Sequence, residues 1–157
     1  MDADEDRIIA EALVAARGEA AAHIARGVSR YLMDAGFSVL SELSLRNWRR
    51  VDLIGIDARN RITIVEIKSG AQDFLSDQKW PEYLEYCDQF YFAVAADFPQ
   101  QLLPPEPGLI VADKFGGILA RPAPENRISA HVRKDVTLRF ARKAADRLNY
   151  DLMPKDR

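Results

Sequence analysis

The chain has 157 residues, of which 48% are hydrophobic and 29% are charged, a size and composition typical of one folded domain. Its apolar runs are far shorter than the roughly 20 residues that a membrane-spanning helix needs, which argues against a membrane protein. Cys87 is the single cysteine, which excludes an intramolecular disulfide and a cysteine zinc cluster, so any metal must bind to oxygen ligands.

Charge is unevenly distributed along the chain. The formal net charge of −2 gives no overall attraction for nucleic acid, but basic residues outnumber acidic ones between residues 121 and 147, where a basic face can form. The acidic start at residues 1–6 lacks the basic and then apolar pattern of a secretory signal, so we expect a cytoplasmic protein. We predict a single domain over residues 1–157, with flexible extensions at residues 1–6 and 151–157.

Hydrophobic periodicity predicts the secondary structure in chain order. A long alanine-rich helix comes first, and three strands follow it, the second and third joined by a short loop. Two short helices come next because Pro81 opens or kinks a helix, and then two buried strands, an edge strand and a terminal helix. These elements cover residues 5–35, 37–42, 51–56, 62–67, 71–86, 90–95, 109–112, 116–120 and 129–149. The order predicts an α/β fold with a mixed central sheet flanked by helices, built on an α-β-β-β-α-β core.

Three residues of the second and third strands suit a metal site. Side chains alternate along a strand, so Glu66 and Lys68 point to one face while Ile67 points into the core. Antiparallel pairing through the loop at residues 57–61 places Asp52 beside Glu66. Adjacent carboxylates repel each other and lose solvation, so such a pair is tolerated best when a divalent cation lies between them.

The cation that suits these ligands is Mg²⁺ or Mn²⁺, because both prefer oxygen atoms. Asp52, Glu66 and the carbonyl of Ile67 would hold it, while Lys68 orients an attacking water or steadies the developing charge. This arrangement is typical of a hydrolytic phosphodiesterase. An isolated Glu-x-Lys segment is more often a surface ion pair, but the apolar residues around Glu66 predict a buried strand.

An Asp followed on the next strand by Glu-x-Lys resembles the motif of the PD-(D/E)XK nuclease superfamily. A wider set of segments between residues 20 and 148 is similar to the bacterial MmcB DNA-repair family. These segments include Arg50-Val51-Asp52-Leu53, Ile64-Val65-Glu66-Ile67-Lys68-Ser69, Lys79-Trp80-Pro81-Glu82-Tyr83 and Tyr91-Phe92-Ala93-Val94. The resemblance implies a restriction-endonuclease-like fold, a part in DNA repair, and metal-binding and catalytic roles for Asp52, Glu66 and Lys68. Val51 stands where the motif has proline, a mild departure.

The resemblance also implies an additional acid, because related nucleases often add a carboxylate from the first helix or strand. Glu42 is the candidate for this catalytic role and Glu19 is the alternative. The segment after the catalytic strand, which contains Asp73 and Asp77, is expected to lie over the site.

Candidate DNA contacts lie on both sides of the predicted site. Arg46, Arg49 and Arg50 crowd the turn that leads into Asp52 and suit DNA phosphates. Lys79 is a second phosphate candidate. Base stacking is assigned to Trp80 or Tyr83, for which core packing is the alternative.

The leading hypothesis is therefore a Mg²⁺- or Mn²⁺-dependent deoxyribonuclease acting in DNA repair, with DNA and other repair proteins as partners. A non-cleaving DNA-structure binder or repair-complex adaptor on the same fold is the alternative, followed by a protein-only interaction module. The preferred DNA structure, the oligomeric state and the need for a partner stay open, because they depend on surface shape.

Overall fold

The computed structural model describes residues 3–76 and 78–155, and this part of the chain forms an α/β fold around a six-stranded sheet. Its helices are α1 (Ala3–Asp34), α2 (Ala71–Ser76) and α3 (Ala130–Leu152), with 3-10 helices at Trp80–Tyr86 and Gln100–Leu102. Its strands are β1 (Ser38–Ser44), β2 (Arg50–Ile56), β3 (Ile62–Ile67), β4 (Gln89–Val94), β5 (Gly108–Ala112) and β6 (Gly117–Arg121).

The strands lie in the sheet in their order along the chain. β1, β2 and β3 form an antiparallel meander, β4 and β5 each join the preceding strand in parallel, and β6 is antiparallel to β5. The parallel step from β3 to β4 requires a crossover, which α2 and the Trp80–Tyr86 helix provide. The prediction of a mixed α/β sheet with helices, and the predicted order of its elements, are confirmed.

Helices cover both faces of the sheet, as the alternation of side chains in β4 shows. Phe90, Phe92 and Val94 pack in one core cluster with residues of the Trp80–Tyr86 helix and α3. Tyr91 and Ala93 point the other way and pack in a second cluster with residues of α1. The sheet is therefore the middle of three layers, and its central strands are buried on both faces.

Helix α1 makes a close contact with the turn between β5 and β6 at Gly27. A Cβ atom at this position would overlap the carbonyl oxygen of Asp113, so only glycine lets the helix lie against the β5–β6 turn. The contact fixes the C-terminal third of α1, which holds all of its buried residues, against the sheet. No helix in residues 3–76 and 78–155 combines the length and the apolar character needed to cross a membrane.

The two long helices extend into segments that the sequence predicted to be flexible. The described part of α1 starts at Ala3, and acidic residues occupy its first turn, where the helix dipole favours negative charge. α3 continues to Leu152 and ends in a turn at Met153, whose N–H donates to the Asn149 carbonyl. Residues 1–2 and 156–157 lie outside the described residues.

Candidate functional site

The two predicted acidic ligands lie beside each other where the ladder between β2 and β3 ends. Leu53 pairs with Val65 in the ladder between the two strands. Beyond this pair, backbone N–H groups donate to side-chain carboxylates and not to backbone carbonyls. Glu66 Oε1 accepts a hydrogen bond from Asp52 N at 3.0 Å, and Asp52 Oδ2 accepts one from Ile67 N at 2.8 Å. Each carboxylate thus binds the strand that carries the other, so the adjacency that the pairing predicted is present.

A cleft of about 500 Å³ opens over these carboxylates. Side chains from α1, β1, β2, β3, α2 and the Trp80–Tyr86 helix line it: Ala21, Ala22, Ala25, Ser41, Glu42, Arg50, Asp52, Glu66, Ile67, Lys68, Asp73 and Tyr83. The wall from α1 consists of alanines, and their small side chains leave the space open. The alanine-rich composition of this helix is the sequence signal for a helix that borders a cleft.

Burial dominates the electrostatics of the cleft. Glu66 and Lys68 are only 6% and 5% exposed, so an acid and a base lie side by side with little access to water. Burial raises the pKa of Asp52, against the hydrogen bond from Ile67 N–H and the positive charge of Lys68, which lower it. The negative charge of Asp73 adds to the rise, whereas a hydrogen bond with Glu66 opposes it. The net rise shows that these donors do not fully compensate the charge of Asp52.

The donor set of the cleft fits a hard cation such as Mg²⁺. Within residues 3–76 and 78–155, no group of three or more His, Cys, Asp or Glu side chains is arranged to hold a metal. A cation here would therefore use Asp52 and Glu66 together with carbonyl and water oxygens. Mg²⁺ is commonly bound by one or two carboxylates while it keeps several waters, whereas a structural zinc site needs more protein ligands.

Glu42, rather than Glu19, is the additional acid that the fold brings to the cleft. It lies on β1 opposite Asp52, and its carboxylate is 61% exposed and 3.8 Å from the Arg50 guanidinium. Its φ of 54° is in the left-handed region, a strain of roughly 1 kcal/mol or more for a residue with a side chain. Glu19 instead lies 3.9 Å from His23 on the surface of α1.

Asp73 lines the cleft, as expected from the sequence, although no role was predicted for it. It lies in the first turn of α2, where its carboxylate accepts a hydrogen bond from Ser69 N at 3.1 Å. Its charge contributes to the raised pKa of Asp52, so it lies within electrostatic reach of the predicted ligands. Asp77, which was also expected over the site, lies outside the described residues.

Of the predicted phosphate contacts, one is part of the cleft wall and the other three lie in segments adjacent to it in sequence. Arg50 lines the cleft, and Arg46 is exposed in the turn before it. The side chain of Arg49 is held by an ion pair, because its Nε donates to Glu82 Oε2 at 2.6 Å. Lys79 is exposed at the start of the Trp80–Tyr86 helix.

The two aromatics predicted to stack on bases are placed as core residues. Trp80 stacks on Phe90 at 5.8 Å between ring centroids and meets Phe92 edge-on at the same distance. Tyr83 is buried, lies parallel to Phe90 and donates to the Arg50 carbonyl at 3.2 Å. Both follow the packing alternative that the sequence left open, although Tyr83 also borders the cleft.

Comparison with known proteins assigns the family. A family model described as DNA repair protein MmcB-like matches residues 10–154. The chain belongs to the MmcB-like family. This membership indicates a role in DNA repair and makes DNA the indicated partner, in agreement with the resemblance found in the sequence.

One structural relative of this MmcB-like protein supports the fold without adding an activity. It is the SPO1766 protein of unknown function from Silicibacter pomeroyi, which is 40% identical with a TM-score of 0.78. The match covers 82% of this chain and 88% of that chain. Among curated proteins, none matches the chain.

Proposed function

We propose that this MmcB-like protein is a Mg²⁺- or Mn²⁺-dependent DNA phosphodiester hydrolase with a restriction-endonuclease-like fold and a PD-(D/E)XK site. The observation that carries the proposal is the interlocked pair Asp52 and Glu66 beside buried Lys68, in a cleft where burial raises the pKa of Asp52. Groups with such perturbed ionisation concentrate at sites that bind ligands or catalyse reactions. Family membership adds DNA as the source of the phosphodiester.

The residues of the cleft would have different roles in hydrolysis. Asp52, Glu66 and the Ile67 carbonyl would hold the cation, and Glu42 at the mouth of the cleft would contact its water shell. When bound, the cation would polarise the scissile phosphate and make a water a better nucleophile at neutral pH. Lys68, which lies close enough to Asp52 to influence its pKa, would orient that water and stabilise the charge developing on the phosphate. Burial strengthens this stabilisation because the local dielectric is low.

Phosphate binding outside the cleft would fall to the basic residues at its entrance. Arg50 lines the cleft, while Arg46 and Lys79 are exposed nearby, and Arg49 would act from its position against Glu82. Contacts to phosphates position a strand without reading its sequence. The proposed enzyme would therefore select DNA by structure rather than by base sequence.

A second candidate, a non-cleaving DNA-structure binder or repair-complex adaptor, is favoured by a specific feature of the same residues. Both carboxylates already accept backbone N–H donors, and residues 3–76 and 78–155 hold no cluster of three side-chain ligands. In this alternative Asp52 and Glu66 close the end of the β2–β3 pair. The cleft would then bind DNA without a metal.

Titration of metal into wild type and variants separates these candidates. Calorimetry with Mg²⁺ or Mn²⁺ is expected to show binding to wild type and to Glu106→Gln, a control that removes an exposed acid from the β4–β5 loop. Asp52→Asn is expected not to bind the metal. In the same samples, a labelled panel of duplex, flap and single-stranded DNA is expected to be cleaved only when metal binds, and EDTA should stop cleavage.

The outcomes of this titration are distinct. Metal binding without cleavage of any DNA would favour the non-cleaving candidate or a missing partner. Metal binding by Asp52→Asn equal to wild type would contradict the assignment of Asp52 as a ligand. Absence of metal binding to wild type would reject the metal-dependent hydrolase.

A further inference from the structure

Trp48, at the tip of the turn between β1 and β2, is the most exposed of the large hydrophobic residues in the described part of the chain. It is 94% exposed, whereas the other tryptophan, Trp80, packs against Phe90 and Phe92. Tryptophan is highly buried on average, because its large ring gains most from leaving water. The indole of Trp48 adds almost nothing to the core, so the fold gives no reason for a tryptophan at this position.

Hydrogen bonds within the turn hold Trp48 in a fixed position. Leu45 is buried and its N–H donates to the Arg49 carbonyl at 2.8 Å, while Trp48 N donates to the Leu45 carbonyl at 3.1 Å. Asn47 Oδ1 accepts from Arg49 N at 3.0 Å, and Arg49 in turn binds the Glu82 carboxylate. Because the backbone of the turn is already ordered, the indole can bind a ligand with a smaller ordering penalty than on a mobile loop.

The backbone of Trp48 is unfavourable for the residue it carries. Its φ is 68°, in the left-handed region that glycine and asparagine adopt readily but residues with bulky side chains rarely adopt. Unfavourable conformations of this kind persist mainly at ligand-binding sites, where the side chain has another use. An exposed tryptophan that strains its own turn therefore indicates a binding contact.

The neighbours of Trp48 identify the chemistry of the ligand. Three arginines flank it in sequence: Arg46, Arg49 and Arg50. Arg49 lies beside Glu82 and Arg50 beside Glu42, whereas Arg46 is exposed to solvent. An aromatic platform among guanidinium groups suits a single nucleic-acid strand, because the ring stacks on bases and the cations bind phosphates.

The position of the turn connects this platform to the cleft. Trp48 and Asp52 are four positions apart in the chain, a reach of at most about 14 Å for an extended chain. That reach corresponds to about four nucleotides at 3.4 Å per step along a strand. One strand can therefore contact Trp48 while its phosphates enter the cleft.

We propose that Trp48 stacks on an unpaired base of the strand that enters the cleft, so the substrate class is single-stranded DNA or DNA with a single-stranded segment. The inference deepens the proposed function and rests on it in one respect, that the cleft receives DNA. The stacking itself needs neither metal nor cleavage, so it is testable in EDTA.

Trp48 and Trp80 are the two tryptophans of the chain, so each is observable alone. In Trp80→Phe, the fluorescence of Trp48 is expected to be quenched when an oligothymidine of about eight nucleotides, twice the estimated reach, is added in EDTA. In the matched Trp48→Phe protein, Trp80 reports, and its emission is expected to stay constant while labelled oligothymidine still binds within a few-fold of wild type.

A Trp48→Gly variant in the otherwise unchanged protein tests the same contact without altering the core. Anisotropy of labelled oligothymidine is expected to show about tenfold to hundredfold weaker binding, as the loss of one stacked base predicts. The melting temperature is expected to equal or exceed that of wild type, because glycine relieves the left-handed strain. Weaker binding with unimpaired stability is a result that a purely structural role would not give.

The salt dependence of binding tests the phosphate contacts beside Trp48. Arg46→Ala is expected to reduce the slope of log K against log salt by about 0.7, the value for one phosphate contact to a single strand. Arg59→Ala removes the same charge from the exposed turn at the opposite end of β2 and is expected to leave the slope unchanged. Equal slopes for both variants would overturn the placement of the strand at the β1–β2 turn.

The stacking inference and the hydrolase proposal fail in different ways. Quenching of Trp48 in a wild-type protein that binds neither Mg²⁺ nor Mn²⁺ rejects the hydrolase and keeps the stacking contact. Cleavage with constant Trp48 emission and wild-type affinity in Trp48→Gly overturns the stacking and keeps the hydrolase. Absence of DNA binding in EDTA by every form of the protein also overturns the stacking.

Discussion

Strand β3 has a buried acidic centre at each end, and the two centres are built differently. At its start, Asp88 accepts a hydrogen bond from Ile62 N at 2.7 Å and two from the Arg133 guanidinium, each also at 2.7 Å. Burial opposes the charge of Asp88, but the bonds from Arg133 and from backbone N–H groups outweigh it and lower its pKa. Hydrogen bonds and the positive charge of Arg133 therefore compensate the cost of burying this carboxylate.

At the other end of β3, the balance is reversed. Asp52 accepts one backbone hydrogen bond from Ile67 and lies near Lys68, yet burial dominates and its pKa is raised. The difference separates two kinds of acid: a carboxylate matched by its partners stabilises the fold, whereas a carboxylate whose pKa burial raises is a candidate for ligand binding. Loss of Asp88 should therefore lower the free energy of unfolding, whereas loss of Asp52 should impair metal binding and cleavage.

The largest effect is expected from Asp88→Asn, because the substitution leaves the half-buried Arg133 without its anionic partner. Breaking such a pair is expected to lower the free energy of unfolding by about 3 kcal/mol or more, measured by urea denaturation at neutral pH. Asp135→Asn, which breaks the more exposed pair with Arg139 on α3, is the control and should lose about 0.5 kcal/mol or less.

The pH dependence of stability sharpens this prediction. The folded pKa of Asp88 lies below the unfolded value of about 3.9, so its contribution is complete above that value and is lost as pH falls through the folded pKa. The gap between wild type and Asp88→Asn should therefore narrow in acid. A constant gap down to low pH would show that the charge of Asp88 is not what stabilises the fold.

Lys68→Met is expected to lower the rate of DNA cleavage by about a hundredfold to a thousandfold, as the loss of one transition-state contact does. Methionine keeps the length and the apolar stem of the side chain, so metal and DNA binding should change little. Lys79→Met removes an exposed lysine at the start of the Trp80–Tyr86 helix and serves as the control, with cleavage reduced only through weaker DNA binding. Undiminished cleavage by Lys68→Met would remove Lys68 from the mechanism.

Much of the fold was predictable because local patterns specify it. The predicted strand at residues 62–67 coincides with β3, and the strand at residues 51–56 differs from β2 by one residue, since both are apolar runs between turn residues. The adjacency of Asp52 and Glu66 followed from the same pattern, because a short loop fixes the register of an antiparallel pair. The metal-binding and catalytic roles of these residues stay predictions.

Other features depend on contacts between distant segments and had no local signal. Arg133 was counted in a basic face, but it pairs with Asp88, 45 residues earlier in the chain. Trp80 was open between base stacking and core packing, and the crossover between β3 and β4 places it against Phe90 of β4. Trp48 received no role, because a tryptophan in a basic turn looks the same in the sequence whether the fold buries or exposes it.

The smallest effect is expected for the stability of Asp52→Asn in the absence of metal. Asparagine keeps an oxygen to accept the Ile67 N–H and removes a charge that burial disfavours. The folded pKa of Asp52 lies above the unfolded value of about 3.9, so wild type loses stability as pH rises through this interval and the variant does not. The two proteins should be equally stable in acid, and the variant more stable by about 1 kcal/mol or less at neutral pH.

Addition of Mn²⁺ should reverse this order at neutral pH, because a ligand that binds only the folded wild type stabilises it in proportion to its occupancy. The control is Asp88→Asn, which keeps the proposed metal ligands and should gain the same increment from Mn²⁺ as wild type. If Asp52→Asn were less stable than wild type without metal, the carboxylate would serve the fold as Asp88 does, and the contrast between the two ends of β3 would fail.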